Sequence, residues 1–149
     1  MTLYAATGLS ALAAVLVAAA GPSAGCIAPP GDTLRRIIEA DNERDLRAAV
    51  SEYAPDVVWL PPGRAPVVGA DAVRDSYEKM YANYSPALSL SIDETMADGD
   101  LAVVRGTTVG ALTPPTGEPL RVHDQYLAVL RCESGNWLVA RMIWAPSGS

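Results

Sequence analysis

Apolar positions along the chain recur at helical spacing up to about residue 84 and alternate from Ser85 onward. In the first part, Asp32-Thr33-Leu34 opens a helix with an acidic N-cap and a stripe of Leu34, Ile37 and Ile38. Asn42-Glu43-Arg44-Asp45 interrupts that stripe, and Asp45 caps a second short helix from Leu46 to about Tyr53, with Leu46, Ala49 and Val50 inward. Val57-Val58-Trp59-Leu60 reads as a short strand stopped by Pro61-Pro62-Gly63. Asp71 then caps a third helix through about Asn83, its apolar face carrying Val73, Tyr77, Met80, Tyr81 and Tyr84.

In the second part, Leu88, Leu90, Ile92 and Met96 alternate with Ser89, Ser91, Asp93 and Thr95, and Asp98-Gly99 is a hairpin turn. Leu101 to Leu112 returns as a strand, Pro114-Pro115-Thr116-Gly117 makes a loop, and Leu120 to Cys132 and Trp137 to Ala145 form a last hairpin. Three helices followed by a long meander predict an α+β domain with its helices on one face of the sheet.

Register determines which side chains share that face. A loop of two residues (Ser134, Gly135) or four (Glu133 to Asn136) after Cys132 gives the same partners. Val129 then opposes Ala140, Leu127 opposes Met142, Gln125 opposes Trp144, and His123 continues the row. A three-residue loop inverts the parity and places Asp124 and Tyr126 there instead. A two-residue turn at Asp98-Gly99 puts Glu94 and Arg105 diagonal to each other on one face, as an ion pair or a ligand clamp.

Composition narrows the function classes. The chain has 149 residues, half of them hydrophobic, enough for one domain with a real core. A net charge of −6 and the lack of a basic stripe argue against a nucleic-acid surface. Ahead of Asp32, the first charged side chain, Ala5 to Ala20 is almost wholly Ala, Leu and Val and leads into Gly21-Pro22-Ser23-Ala24-Gly25-Cys26. This reads as an export leader over residues 1–31, with three outcomes open: a lipid on Cys26, cleavage after Ala18-Ala19-Ala20, or an uncleaved anchor. A lipid on Cys26 makes a Cys26–Cys132 disulfide an unfavoured pairing, and Cys132 reads as a small hydrophobe. One His, no CxxC and no glycine-rich strand-to-helix fingerprint suggest neither metal nor nucleotide cofactor.

From Asp32 to the end, the chain resembles the SnoaL-like family of the ketosteroid-isomerase and nuclear-transport-factor-2-like superfamily. The resemblance lies in Arg44-Asp45-Leu46, in Tyr53-Ala54-Pro55-Asp56-Val57-Val58-Trp59, and in Gly69-Ala70-Asp71-Ala72-Val73 leading to Tyr77. It continues in Gly135-x-Trp137 and Ala140-Arg141-x-Ile143-Trp144. It implies a cone, in which a curved mixed or antiparallel sheet wraps three N-terminal helices around an open apolar pocket, and a dimer. It also implies that the steroid-isomerase groups would fall at Pro61 (base), Ile37 (helical Tyr) and Leu127 (protonated Asp). All three are apolar, so that machinery is absent. The Arg flanked by carboxylates of epoxide-hydrolase relatives is missing too, since Gly106 and Thr107 follow Arg105.

The remaining candidates are a wall and a few polar groups. Trp59, Tyr77, Tyr81, Leu127, Met142 and Trp144 would line the pocket for a small apolar molecule, with Gln125 as a donor to a ligand carbonyl. His123 would shuttle a proton in cofactor-free isomerisation or cyclisation of a carbonyl substrate, and Asp124 takes that place if the parity inverts. The competing expectation is a non-catalytic binding or dimeric module whose pocket is filled by its own side chains.

Overall fold

The computed structural model describes residues 25–147; the leader run Ala5 to Ala20 and its processing zone up to Ala24 lie outside the described residues. Three helices, α1 (Gly31–Glu43), α2 (Leu46–Ser51) and α3 (Ala70–Asn83), pack on a six-stranded curved sheet. Its strands are β1 (Tyr53–Leu60), β2 (Val67–Val68), β3 (Ser85–Asp98), β4 (Leu101–Thr113), β5 (Leu120–Glu133) and β6 (Asn136–Pro146). They lie in the order β2-β1-β6-β5-β4-β3, with only the β1–β6 pair parallel. The sheet is open rather than closed into a barrel. Among the described residues no helix is long and apolar enough to cross a membrane.

Local chemistry accounts for most boundaries. The Asp45 carboxylate accepts from the Ala48 amide and starts α2 as the capping pattern requires. In contrast, α1 starts two residues earlier than an Asp32 cap would set it: Pro30 is its N-cap, and Asp32 sits in the first turn, paired with Arg35 at 2.9 Å. Its stripe is not broken at Asn42, because α1 continues to Glu43 and ends on Arg44 in the left-handed region. Strand β1 also begins four residues before Val57, extended by its parallel pairing with β6.

Two bulges in the antiparallel strands reset the faces of the sheet. Across β3 and β4 the turn residues are Gly99 and Asp100, one position beyond the expected Asp98-Gly99. Glu94 therefore faces Arg105 directly, and Asp93 is the extra residue of a bulge between Ile92 and Glu94. As a result Ile92 faces the helices, lying against Gly31, while Met96 turns outward and is exposed. The second bulge, at Ala140 between β5 and β6, decides the candidate site.

The core is the concave side of the sheet packed on α1 and α3. Leu34, Val57, Val73, Val104, Leu130 and Val139 are almost fully buried there, each contributing about 1.5–3 kcal/mol by leaving water. Gly106 is required by a close approach: a Cβ on it would overlap the Ser91 carbonyl and crowd the Tyr126 hydroxyl, which donates to that same carbonyl at 2.9 Å.

Beside the β5–β6 turn, Cys26 and Cys132 form a disulfide. This corrects both the disfavoured pairing and the reading of Cys132 as a simple hydrophobe. Beside the disulfide, the Trp137 indole donates to the Ala28 carbonyl at 2.9 Å, fixing the segment before α1 to β6.

Candidate functional site

The β5–β6 turn has the expected two residues, Ser134 and Gly135, both with positive φ. Next to the turn the expected pairing holds, with Cys132 opposite Trp137 and Leu130 opposite Val139. The Ala140 bulge then advances β6 by one, so that Val129 pairs with Arg141, Leu127 with Ile143 and Tyr126 with Trp144. One inserted residue flips every side chain beyond it. The expected Leu127–Met142 and Gln125–Trp144 partnerships are thus replaced, and the row His123, Gln125, Leu127 is exposed on the convex face, away from Trp144. The inverted parity that a three-residue loop would have produced is realised by the bulge instead. Asp124, Tyr126 and Ala128 share the concave side with Met142 and Trp144.

On that side Trp59, Tyr77, Tyr81 and Trp144 pack together. Trp59 of β1 meets Tyr77 of α3 at 5.3 Å between ring centroids, Trp144 of β6 at 5.6 Å and Tyr53 at 5.4 Å, all edge to face. Tyr81 continues the wall, 5.5 Å from Tyr77. These geometries are the favoured ones for aromatic quadrupoles. The Tyr53 and Tyr77 hydroxyls share a hydrogen bond of 2.8 Å, and burial raises both phenols well above the usual tyrosine range. The Trp59 indole N–H is buried without a partner among the described residues, an orphaned donor in an otherwise aromatic chamber.

Asp41 is the polar group that sequence reasoning missed. It lies in the last turns of α1 and is only 6% exposed. Its carboxylate accepts one side-chain hydrogen bond, from the Tyr81 hydroxyl at 2.8 Å, and takes part in none of the salt bridges among the described residues. Desolvation pushes its pKa up to about 7, the bond from Tyr81 opposing only in part. A signal was available: Leu34, Ile37 and Asp41 stand at i, i+3 and i+7, so Asp41 extends the buried stripe. The hydrophilic run Asn42-Glu43-Arg44-Asp45 hid it by suggesting that the helix had already ended. Asp124, half-buried on the concave side, is also shifted upward, chiefly by burial and against the pull of neighbouring His123.

Two clefts open on the described residues, the smaller of them beside this interior. One of about 210 Å³ is lined by Arg44, Tyr81, Ala82, Tyr84, Ser85, Thr113, Pro114 and Pro115. Arg44 closes one side of it by donating to the Tyr81 carbonyl. Tyr81 therefore stands between this cleft and the Asp41 carboxyl. A larger one of about 510 Å³ lies at the disulfide end, with mixed polar and apolar lining and with Arg36 and Glu52 paired at 2.8 Å on its wall. Glu94 and Arg105 form an ion pair of 2.6 Å on the exposed face, outside both clefts.

The SnoaL-like domain model matches residues 34–140. The chain belongs to the SnoaL-like family. Among solved structures, a ketosteroid isomerase-like protein from Erwinia carotovora atroseptica is similar at 27% identity and a TM-score of 0.72, covering 79% of this chain and 93% of that one. A conserved protein from Planctomyces limnophilus reaches 23% and 0.72, with 78% and 93% covered. A putative aromatic ring hydroxylase from Novosphingobium aromaticivorans reaches 19% and 0.70, with 79% and 86% covered. No curated protein sequence matches the chain. Within this family the chain keeps the three-helix cone, and Pro61 and Ile37, two of the positions to which the resemblance assigned isomerase groups, are buried apolar residues. Leu127 faces outward, and its inward neighbours, Tyr126 and Ala128, carry no carboxyl.

Proposed function

We propose that this SnoaL-like domain binds a small apolar molecule bearing a carbonyl or similar acceptor oxygen, and moves a proton within it without a cofactor. The observation that carries this reading is the buried Asp41 carboxyl, held by a phenol rather than a cation and titrating near neutrality. Such a group costs folding free energy if its role is structural, whereas a base poised near pH 7 suits proton abstraction. Tyr81, which donates to Asp41 and lines the adjoining cleft, relays the proton. The unpartnered Trp59 indole N–H supplies the donor that fixes the acceptor oxygen. Asp124 is the second carboxyl available to the concave side and His123 is not part of the machinery.

The test is a titration of the purified protein with cyclic enones and aromatic ketones, followed by tryptophan emission, with deuterium exchange at the α-carbon of the bound ketone read by NMR. Saturable quenching that Trp59→Phe weakens, and exchange that Asp41→Asn abolishes while binding survives, are expected. Quenching with undiminished exchange in Asp41→Asn would remove Asp41 from the chemistry.

A second reading, a non-catalytic module, draws support from the edge-to-face packing of Trp59 with three aromatic neighbours, which fills the chamber from within. It expects no emission change with any ketone. In either reading we propose that the protein works as a homodimer through its convex sheet face. Leu60, Ile143 and Leu127 stand side by side across β1, β6 and β5 and are 40–46% exposed, flanked by Arg105 and Glu94. Export is likewise part of the proposal, and the disulfide supports it, since such bonds persist in oxidising compartments.

A further inference from the structure

We infer that Cys26 serves the mature protein as a structural half-cystine and is not a site of lipid attachment, so that any leader is removed upstream of it. This inference rests on the export reading but is independent of any activity. Only two cysteines exist in the chain, so Cys26 and Cys132, 106 residues apart, have no alternative partners within it. Attachment of a diacylglyceryl group converts the Cys26 Sγ to a thioether and makes Cys26 the N-terminal residue; the disulfide requires the same sulfur. Formation of the disulfide removes two protons and two electrons from the two thiols. A protein disulfide oxidant of the export compartment accepts them by thiol–disulfide exchange, its own disulfide becoming a dithiol.

The surroundings of Cys26 argue the same way. A lipid anchor works through a tether long enough to let the domain stand clear of the bilayer. Here the chain is engaged immediately after residue 26. The Ala28 carbonyl accepts from the Trp137 indole, the Pro29 carbonyl accepts from the Asp32 amide at 3.1 Å, and Gly31 lies so close to Ile92 that a Cβ would collide with its side chain. Acyl chains on Cys26 would therefore emerge directly against the β5–β6 hairpin, with no slack between them and the fold. The segment from Cys26 to Pro30 is instead a strap that the disulfide fastens to the β5–β6 hairpin.

The experiment is to express the full chain with its own N-terminal segment in an exporting bacterium, purify it from the envelope and medium fractions, and measure its intact mass. Iodoacetamide is applied before and after reduction. The expected product begins upstream of Cys26, takes up no carbamidomethyl group before reduction and two after it, and carries no lipid mass. A product that begins at Cys26 with a diacylglyceryl mass overturns the inference, and so does one whose thiols are both alkylated without reduction. Cys132→Ser provides the second readout: a lower urea midpoint is expected from loss of the strap, and an unchanged midpoint overturns the structural role.

Discussion

Replacing Asp41 by Asn tests the buried carboxyl directly, because the amide keeps an oxygen for the Tyr81 hydroxyl but cannot ionise. In the folded protein desolvation moves this carboxyl from 3.8 to about 7, so the folded state holds the proton more tightly than the unfolded chain. Its favourable contribution is therefore fully present below pH 3.8 and is lost as pH rises through about 7. At about 1.4 kcal/mol for each tenfold change in proton affinity, the loss amounts to roughly 4 kcal/mol. At pH 4 the neutral acid and the neutral amide should differ by about 1 kcal/mol or less, the scale of one hydrogen bond. At pH 8.5 the variant should be more stable than the natural protein by up to about 4 kcal/mol. With a urea dependence of roughly 2 kcal/mol per molar, the midpoint rises by about 2 M. The assay is urea unfolding of both proteins at pH 4, 6 and 8.5, at fixed ionic strength and protein concentration, so that all other titrating groups cancel in the difference. A difference that does not change with pH would refute the reasoning, because it would mean that Asp41 ionises as easily in the fold as in water.

Three further outcomes follow from the faces of the sheet. His123→Ala should leave ketone binding and exchange unchanged, since His123 lies on the convex face, whereas Asp124→Asn should alter the pH profile of exchange; a loss of activity in His123→Ala alone would contradict the observed register. Gly106→Ala should cost about 1–3 kcal/mol, because its methyl group meets the Ser91 carbonyl and displaces the Tyr126 hydroxyl; an unchanged thermal midpoint would show that the strands can separate at no cost. If the proposed homodimer forms through the convex face, the paired substitution Leu127→Lys with Ile143→Lys converts it to a folded monomer in sedimentation equilibrium; a natural protein that sediments as a monomer, or a dimer that persists in the variant, refutes that interface.

Local patterning carries far in this chain. The helical stripe of α3, the Asp45 cap of α2, the alternation of the meander and the two-residue Ser134-Gly135 turn all follow from interactions within a few residues. Within the aromatic wall, the shared helix face of Tyr77 and Tyr81 follows as well, whereas the meeting of Trp59 with Trp144 depends on the parallel β1–β6 pairing and the β6 bulge. Tertiary structure alone decided the rest. The Ala140 bulge reversed β6 relative to β5, placing Met142 and Trp144 on the concave side with Asp124 and Tyr126 and leaving His123, Gln125 and Leu127 outside. A bulge is selected by the curvature that the whole sheet needs to wrap its helices, and no neighbouring residue announces it. The Cys26–Cys132 bond joins segments that only folding brings together. Asp41 is chemically ordinary in a hydrophilic stretch until α3 closes over it, and its affinity for a proton is created by the removal of water, a property of the packed interior and not of the residue.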